Sequence, residues 1–274
     1  ASDGTPLYAG TCRDLPADEV RAAIDTPFSP ATTPYAFQNK LLHGAKESGA
    51  TIVLPEGEEG RILEAADYLL EREVVDLLIL GERDDILKHG AELGLKHLSK
   101  AHFQSMNDET VLAPMIDKLC ELRAKKGMTP DKAREQLKDP SYFGTMLVKM
   151  GYADALLGGA TYSTADTVRP ALQLVKTKKG AHLVSSSFIL FRKDKDGNDE
   201  KYCMGDCAIN IDYQDNVDKA TGEVTFSAAQ KLAEVAIETA KTAEIFGMDP
   251  KVAMLSFSTK GSGKGGTVAL SHDA

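Results

Sequence analysis

The sequence predicts an α/β fold built on a parallel sheet with helices on both faces. From Thr51 onward, short apolar runs alternate with stretches of helical period, in the order strand, helix, strand, helix. The runs Thr51–Leu54 and Val74–Leu80 are apolar throughout rather than alternating, the pattern of strands covered on both sides. Turn residues close each run or helix: Pro55-Glu56-Gly57, Gly81 and Gly94.

The elements follow in order. Residues 1–34 hold Pro6, Pro16, Pro27, Pro30 and Pro34, with one short helical stretch at Asp18–Ile24, and read as a linker or arm. The chain opens at Ala1 without a methionine, which suggests a piece cut from a longer protein. Ala36–Gly49 has an amphipathic helical pattern through Phe37, Leu41, Leu42 and Ala45. Gly60–Arg72 carries the stripe Ile62, Leu63, Ala66, Leu69 and Leu70, and Asp84–Leu93 is the next helix. Residues 109–150 are helical with breaks at Gly127 and Pro140, and Thr129-Pro130-Asp131 opens a helix.

Ala153–Leu157 is a strand that runs into Gly158 and Gly159 and then into Thr161, Ser163, Thr164 and Thr167. Thr167 reads as a helix N-cap, with Val168, Arg169 and Pro170 as the first turn, where proline is tolerated because the first amides lack internal partners. Free amides, the positive end of the helix dipole and Arg169 would converge on one point that suits an anion such as phosphate. A plain capped helix with a solvated arginine accounts for the same residues, and the local pattern leaves both open.

Further on, His182–Phe191 reads as a strand with Tyr202–Ile209 as its antiparallel partner. The polar stretch between them resembles a calcium loop but has Asp199 where that motif requires glycine, so it reads as a hairpin tip. Ser227–Phe246 is a helix stopped by Gly247, and Val252–Phe257 is a buried strand. The turn Ser258–Thr267 follows, rich in glycine and hydroxyls. Its amides with Lys260 and Lys264 could cradle phosphate, and a flexible surface loop is the alternative. It fails the P-loop pattern, with Ser258 and Gly265 at two required positions, yet satisfies G-x-G-x-x-G at Gly261, Gly263 and Gly266.

The totals exclude several classes. No apolar run approaches the roughly 20 residues of a membrane span. A formal charge of −9 argues against a nucleic-acid binder, though not against small phosphorylated ligands. The four cysteines, Cys12, Cys120, Cys203 and Cys207, are too scattered for a disulfide framework, which points to a reducing cytoplasm. Cys203 and Cys207 read as buried thiols, and the six histidines show no metal spacing. Composition alone makes Arg123, beside Lys125 and Lys126, a solvated basic turn.

Five segments carry a resemblance. Leu54-Pro-Glu-Gly57, Glu121-Leu-Arg-Ala-Lys-Lys-Gly127, Asp166-Thr-Val-Arg-Pro-Ala-Leu-Gln173, Val184-Ser-Ser-Ser187 and Met254-Leu-Ser-Phe-Ser-Thr259 occur in unbroken order. In these the chain, from about Thr33 to Ala269, resembles the phosphate acetyltransferases (phosphotransacetylases). The resemblance implies a three-layer α/β/α architecture in two domains with mostly parallel sheets and an interdomain cleft, like the isocitrate and isopropylmalate dehydrogenases. Residues 1–32 would be the linker or N-terminal arm, 33–179 the first domain and 180–274 a second domain incomplete at its C-terminus.

The implied activity is reversible transfer of acetyl between acetyl phosphate and coenzyme A, by direct thiolate attack in a ternary complex. Butyryl or another short-acyl transfer is the alternative within the class. A nicotinamide-dependent oxidoreductase, or a non-catalytic oligomerisation fragment, is the alternative outside it. The family's substrate arginines fall on Arg123 and Arg169. Its anion-site hydroxyls fall on Ser163, Thr164 and Thr167 in one domain, and on Ser258 and Thr259 in the other, where Lys260, Gly261, Ser262 and Gly263 complete the turn. A family arginine with no clear role falls on Arg61. The implied partners are coenzyme A, acetyl phosphate and inorganic phosphate, in a cytoplasmic homodimer or higher homo-oligomer, with no nucleic acid and no membrane. Coenzyme A is a substrate, and no cofactor or metal is expected. Family members continue past the point matching Ala274, into a segment with the aspartate proposed as general base. No residue of this chain is therefore assigned that role, and the expectation is little turnover without it.

Overall fold

The structure, a computed structural model, describes residues 33–256, 258, 259 and 261–274. The expected linker with its short helical stretch lies outside the described residues, as do Phe257 and Lys260.

Helix α1, Pro34–Ser48, starts where sequence chemistry places it: the Thr33 hydroxyl accepts the Ala36 amide, Pro34 takes the first position and Gly49 ends it. Strand β1 (Thr51–Leu54), helix α2 (Gly60–Arg72), strand β2 (Asp76–Leu80) and helix α3 (Arg83–Glu92) repeat the expected alternation. Strand β3 (His102–Gln104) follows, then helices α4 (Glu109–Arg123), α5 (Pro130–Gln136) and α6 (Pro140–Lys149), strand β4 (Ala155–Leu156) and helix α7 (Thr164–Leu174). The four strands form one parallel sheet in the order β3-β2-β1-β4.

Adjacent strand residues point to opposite faces. Accordingly Val53 and Leu80 join one buried cluster, with Met115 and Leu119 of α4 and Phe143, Met146 and Leu147 of α6. Leu54, Leu77 and Ile79 join the other, with Leu63, Ala66 and Leu70 of α2 and Ile86 of α3. The chain is α/β, with the sheet covered on both faces as its apolar strands predict. Close contact fixes the sheet edge: a Cβ on Gly57 would stand 2.2 Å from the Leu80 carbonyl oxygen.

Past residue 180 the described strands pair only as antiparallel ribbons. Strand β5 (Ser187–Lys193) pairs with β6 (Asp199–Gly205) around the expected polar tip, and β7 (Asn216–Val217) pairs with β8 (Val224–Phe226). Residues 182–186 and 206–209, read as parts of the first ribbon, lie outside both strands. Helix α8, Ala228–Ile245, has the boundaries the sequence indicates, with a capping box between Ser227 and Gln230. The ribbon packs closely on α8, for a Cβ on Gly205 would meet the Thr239 hydroxyl at 2.1 Å. Phe37 of α1 also packs there, 5.2 Å from Phe191 and 5.8 Å from Phe246 between ring centroids. Cys203 and Cys207 are half-buried rather than buried, with the Cys203 thiol against the Thr239 carbonyl.

The expected strand Val252–Phe257 is not formed. Residues 251–256 have no partner strand, and Val252 and Leu255 are exposed. An apolar run becomes a strand only where another strand takes its backbone hydrogen bonds. Helix α9, Gly266–Asp273, follows the glycine-rich turn.

Candidate functional site

In the order β3-β2-β1-β4 the chain leaves β1 toward one edge and returns to its other side at β4. The carboxyl ends of β1 and β4 therefore frame a topological switch point, the usual ligand position of such sheets. The turn after β1 offers Glu56, and the loop after β4 offers Gly158 to Tyr162.

Glu56 is 6% exposed and accepts four hydrogen bonds from that loop. Its Oε2 takes the amides of Gly159 at 2.7 Å and Ala160 at 3.0 Å. Its Oε1 takes the Thr161 amide at 2.5 Å and the Thr161 hydroxyl at 2.6 Å. Burial alone would push this carboxyl up, but the hydroxyl and the three amides outweigh it and hold the group below the ordinary carboxylate range. Arg61 grips the same loop with opposite polarity, donating to the Ala160 carbonyl at 3.0 Å while paired with Glu59 at 2.6 Å. Gly159 sits at φ 106, open to glycine alone, and a Cβ there would lie 3.4 Å from the Thr167 hydroxyl.

Beside this loop lies a cavity of about 370 Å³ at the sheet edge. Pro55, Leu80, Met106, Pro140 and Tyr162 line it together with Glu58 and Glu59. Burial, with Asp139, Glu56 and Glu58 nearby, pushes the Tyr162 phenol up. The acidic groups on its wall disfavour an anion, and Arg169, where the sequence reading centres the anion site, is not among its lining residues.

The helix that carries Arg169 begins earlier than its proline suggests. Ser163, not Thr167, is the N-cap: its hydroxyl accepts the Asp166 amide at 3.2 Å and donates to the Asp166 carboxylate at 2.6 Å. Thr167 lies inside the helix, with its hydroxyl donating back to the Ser163 carbonyl at 3.1 Å. Pro170 lies inside as well, fully buried. The unpaired amides at the positive end are those of Thr164 and Ala165 rather than those after Thr167. Arg169, half-exposed, pairs with Asp166 at 3.3 Å.

Arg123 ends α4, and its Nε is buried without a hydrogen-bond partner, so the solvated basic turn read from composition does not hold at that atom. Ser258, Thr259 and Ser262 form a hydroxyl knot: Thr259 and Ser262 hydroxyls lie 2.7 Å apart, and Ser258 reaches Ser262 at 3.5 Å. Gly261 has φ 80, and a Cβ on Gly263 would stand 2.5 Å from the Ser258 hydroxyl. Among the described residues, hydrogen bonds and ion pairs join Ser163, Asp166, Thr167 and Arg169 to one another, and Ser258, Thr259 and Ser262 to one another. None joins these two groups or links either to Arg123. Glu56 and Arg61 are the polar residues whose roles sequence reasoning missed. Their partners lie 99 to 105 positions away, so no local spacing marks them. No group of three or more metal-ligating side chains occurs among the described residues. None of the described helices is long and apolar enough to cross a membrane.

Comparison with known proteins finds one matching family and several relatives. The family described as phosphate acetyl/butaryl transferase matches residues 36–274. The phosphate acetyltransferase of Nitratidesulfovibrio vulgaris is 39% identical over 260 residues, which cover 93% of this chain and 34% of the relative. The phosphate acetyltransferase of Corynebacterium glutamicum is 40% identical over 238 residues, 87% of this chain and 66% of the relative. A phosphotransacetylase structure from Streptococcus pyogenes superposes with a TM-score of 0.74 at 38% identity, covering 87% of this chain and 67% of that one. The chain thus spans about a third of the first relative and just under two thirds of the second.

Proposed function

The chain belongs to the phosphate acetyl/butaryl transferase family, and on that premise we propose that it transfers acetyl reversibly between acetyl phosphate and coenzyme A. The relatives named as acetyltransferases favour acetyl over a longer acyl group. Residues 33–179 and 180–274 are the two domains of this reading, with the substrates in the cleft between them and two or more copies in the assembly.

The reaction has three requirements. The thiol, with an ordinary pKa of about 8.5, must become thiolate. The acyl phosphate must be oriented, which alone lowers a barrier by roughly 7–11 kcal/mol. Charge growing on the carbonyl oxygen and the leaving phosphate must be stabilised. Arg169 takes the phosphate, with Ser163, Thr164 and Thr167 completing the anion's surroundings, and Arg123 stabilises the transition state. A guanidinium binds phosphate through two parallel hydrogen bonds and stays charged. Ser258 to Gly263 hold the other substrate group from the second domain. No residue here is assigned as general base.

The observation that carries the reading is the setting of Arg169. It stands half-exposed on the first turns of α7, where two backbone amides are unpaired, and its one partner among the described residues is the exposed Asp166. Such an exposed pair is worth at most about 1 kcal/mol, so a phosphate dianion can displace it. The test is Arg169→Ala. Titration calorimetry should show inorganic phosphate and acetyl phosphate binding at least tenfold more weakly to a variant with parental circular dichroism. In a protein that carries the continuing segment with the general base, phosphorolysis of acetyl-CoA, followed by thiol release, should fall by about two orders of magnitude on the same substitution. Parental phosphate affinity in the variant removes Arg169 from the site.

A further inference from the structure

We propose that Glu56 is the positioning residue of the anion-binding turn: its carboxylate holds residues 159–161 in the conformation that delivers Ser163 to the start of α7. The proposal rests on the phosphate reading of that turn.

Three successive amides converging on one point form a nest, a backbone arrangement that binds anions. The loop Gly159–Thr161 is such a nest, and the chain's own carboxylate fills it. A phosphate is thereby kept out of this nest. The unpaired amides further along are those of Thr164 and Ala165, at the start of the helix that carries Arg169. Glu56 thus decides where along the 158–169 segment an exogenous anion finds its donors.

The coupling is short. Only Tyr162 separates Thr161, held through both its amide and its hydroxyl, from the N-cap Ser163. A Cβ on Gly159 would come within 3.4 Å of the Thr167 hydroxyl, so the loop also passes close beside α7. Arg61 holds the Ala160 carbonyl from the opposite side and prevents the peptide from turning over. Glutamine cannot replace glutamate here. It offers one acceptor oxygen instead of two and would turn an NH₂ donor against amide donors. Aspartate keeps the charge but is one methylene short. Glu56 is buried and its acceptors are occupied, so it acts through the loop rather than on substrate.

The experiment compares the parent, Glu56→Gln and Glu56→Asp, at a temperature where each is folded by circular dichroism. In Glu56→Gln the amides of Gly159, Ala160 and Thr161 should exchange with solvent at least tenfold faster. Inorganic phosphate should bind at least tenfold more weakly, while coenzyme A affinity stays within twofold; Glu56→Asp should recover part of both losses. A folded Glu56→Gln that binds phosphate within twofold of a phosphate-binding parent overturns the positioning role alone. Equal losses of phosphate and coenzyme A affinity also overturn it, as the mark of a general structural defect. A parent that binds no phosphate overturns the phosphate reading, and this inference with it. Should Glu56→Gln not fold, Glu56→Asp decides: phosphate binding weakened threefold or more supports the role, and parental binding removes it.

Discussion

The Glu56 carboxyl is held below the ordinary range in the folded chain, burial being outweighed by the Thr161 hydroxyl and three amides. The unfolded chain binds its proton at the ordinary value of about 4.3. A group depressed on folding stabilises fully above the unfolded value and loses that contribution as pH falls through the folded one. Glu56→Gln should therefore be less stable than the parent by about 1–3 kcal/mol at pH 7, the range for donors left unsatisfied on burial. The gap should shrink between pH 5 and pH 3. Urea melts at the two ends check this, and a gap that stays level or widens on acidification contradicts the assignment. Arg169 stood out as a candidate at this scale because it lies beside hydroxyls and a helix start, a pattern that a solvated arginine on a capped helix fits as well. Glu56 did not, since a buried acid between proline and glycine says nothing about amides more than a hundred positions away. The burial of the Arg123 Nε was hidden for the same reason: its neighbours come from tertiary packing.

Most elements were readable where a cap, a stripe or a stop marks them. α2 has its apolar stripe, α8 its Ser227 capping box and the Gly247 stop, and the boundaries of both match the sequence reading within a residue. For α7 two rules competed. Proline prefers the first turn, which pointed to Thr167, whereas Ser163 with Asp166 three positions on forms its own cap. The cap prevailed, and the buried Pro170 sits in the interior at the loss of one helical hydrogen bond. Ser163→Ala should therefore cost about 1 kcal/mol of stability, as an N-cap loss does. Thr167→Val, inside the helix, should cost less than about half of that figure, because an exposed interior hydroxyl returning to a backbone carbonyl adds little. Denaturant melts of the two variants decide between the two starts, and a larger loss at Thr167 would restore the later one. The unformed strand at 251–256 marks the opposite limit, for apolar composition reports burial without naming the partner that supplies it.

Across the molecule, stability is unevenly placed. Both buried clusters lie on the sheet of β1 to β4 and its helices. Beyond residue 180 the only buried apolar side chains among the described residues are Val235 and Ala243 of α8. The ribbon β5–β6 leaves Phe188, Leu190, Tyr202 and Met204 exposed, and a two-stranded ribbon is marginal without further packing. β1 and β2 were legible as continuous apolar runs and the β5–β6 pairing from its polar tip, while the short, partly polar β3 and the β7–β8 pairing carry no such mark. Regions with few buried contacts open at lower free energy than a core, and amide exchange reports that difference directly. Amides of β1, β2 and α6 should exchange last, at rates set by global unfolding. Those of residues 251–265 and α9 should exchange at least a hundredfold faster, with α8 between, held by Val235 and Ala243. Addition of phosphate or coenzyme A should slow the second half more than the first, because a ligand that bridges two regions stabilises the weaker one by the larger factor. Uniform protection across residues 33–274, unchanged by either ligand, would show one cooperative unit and would contradict the division at residue 180.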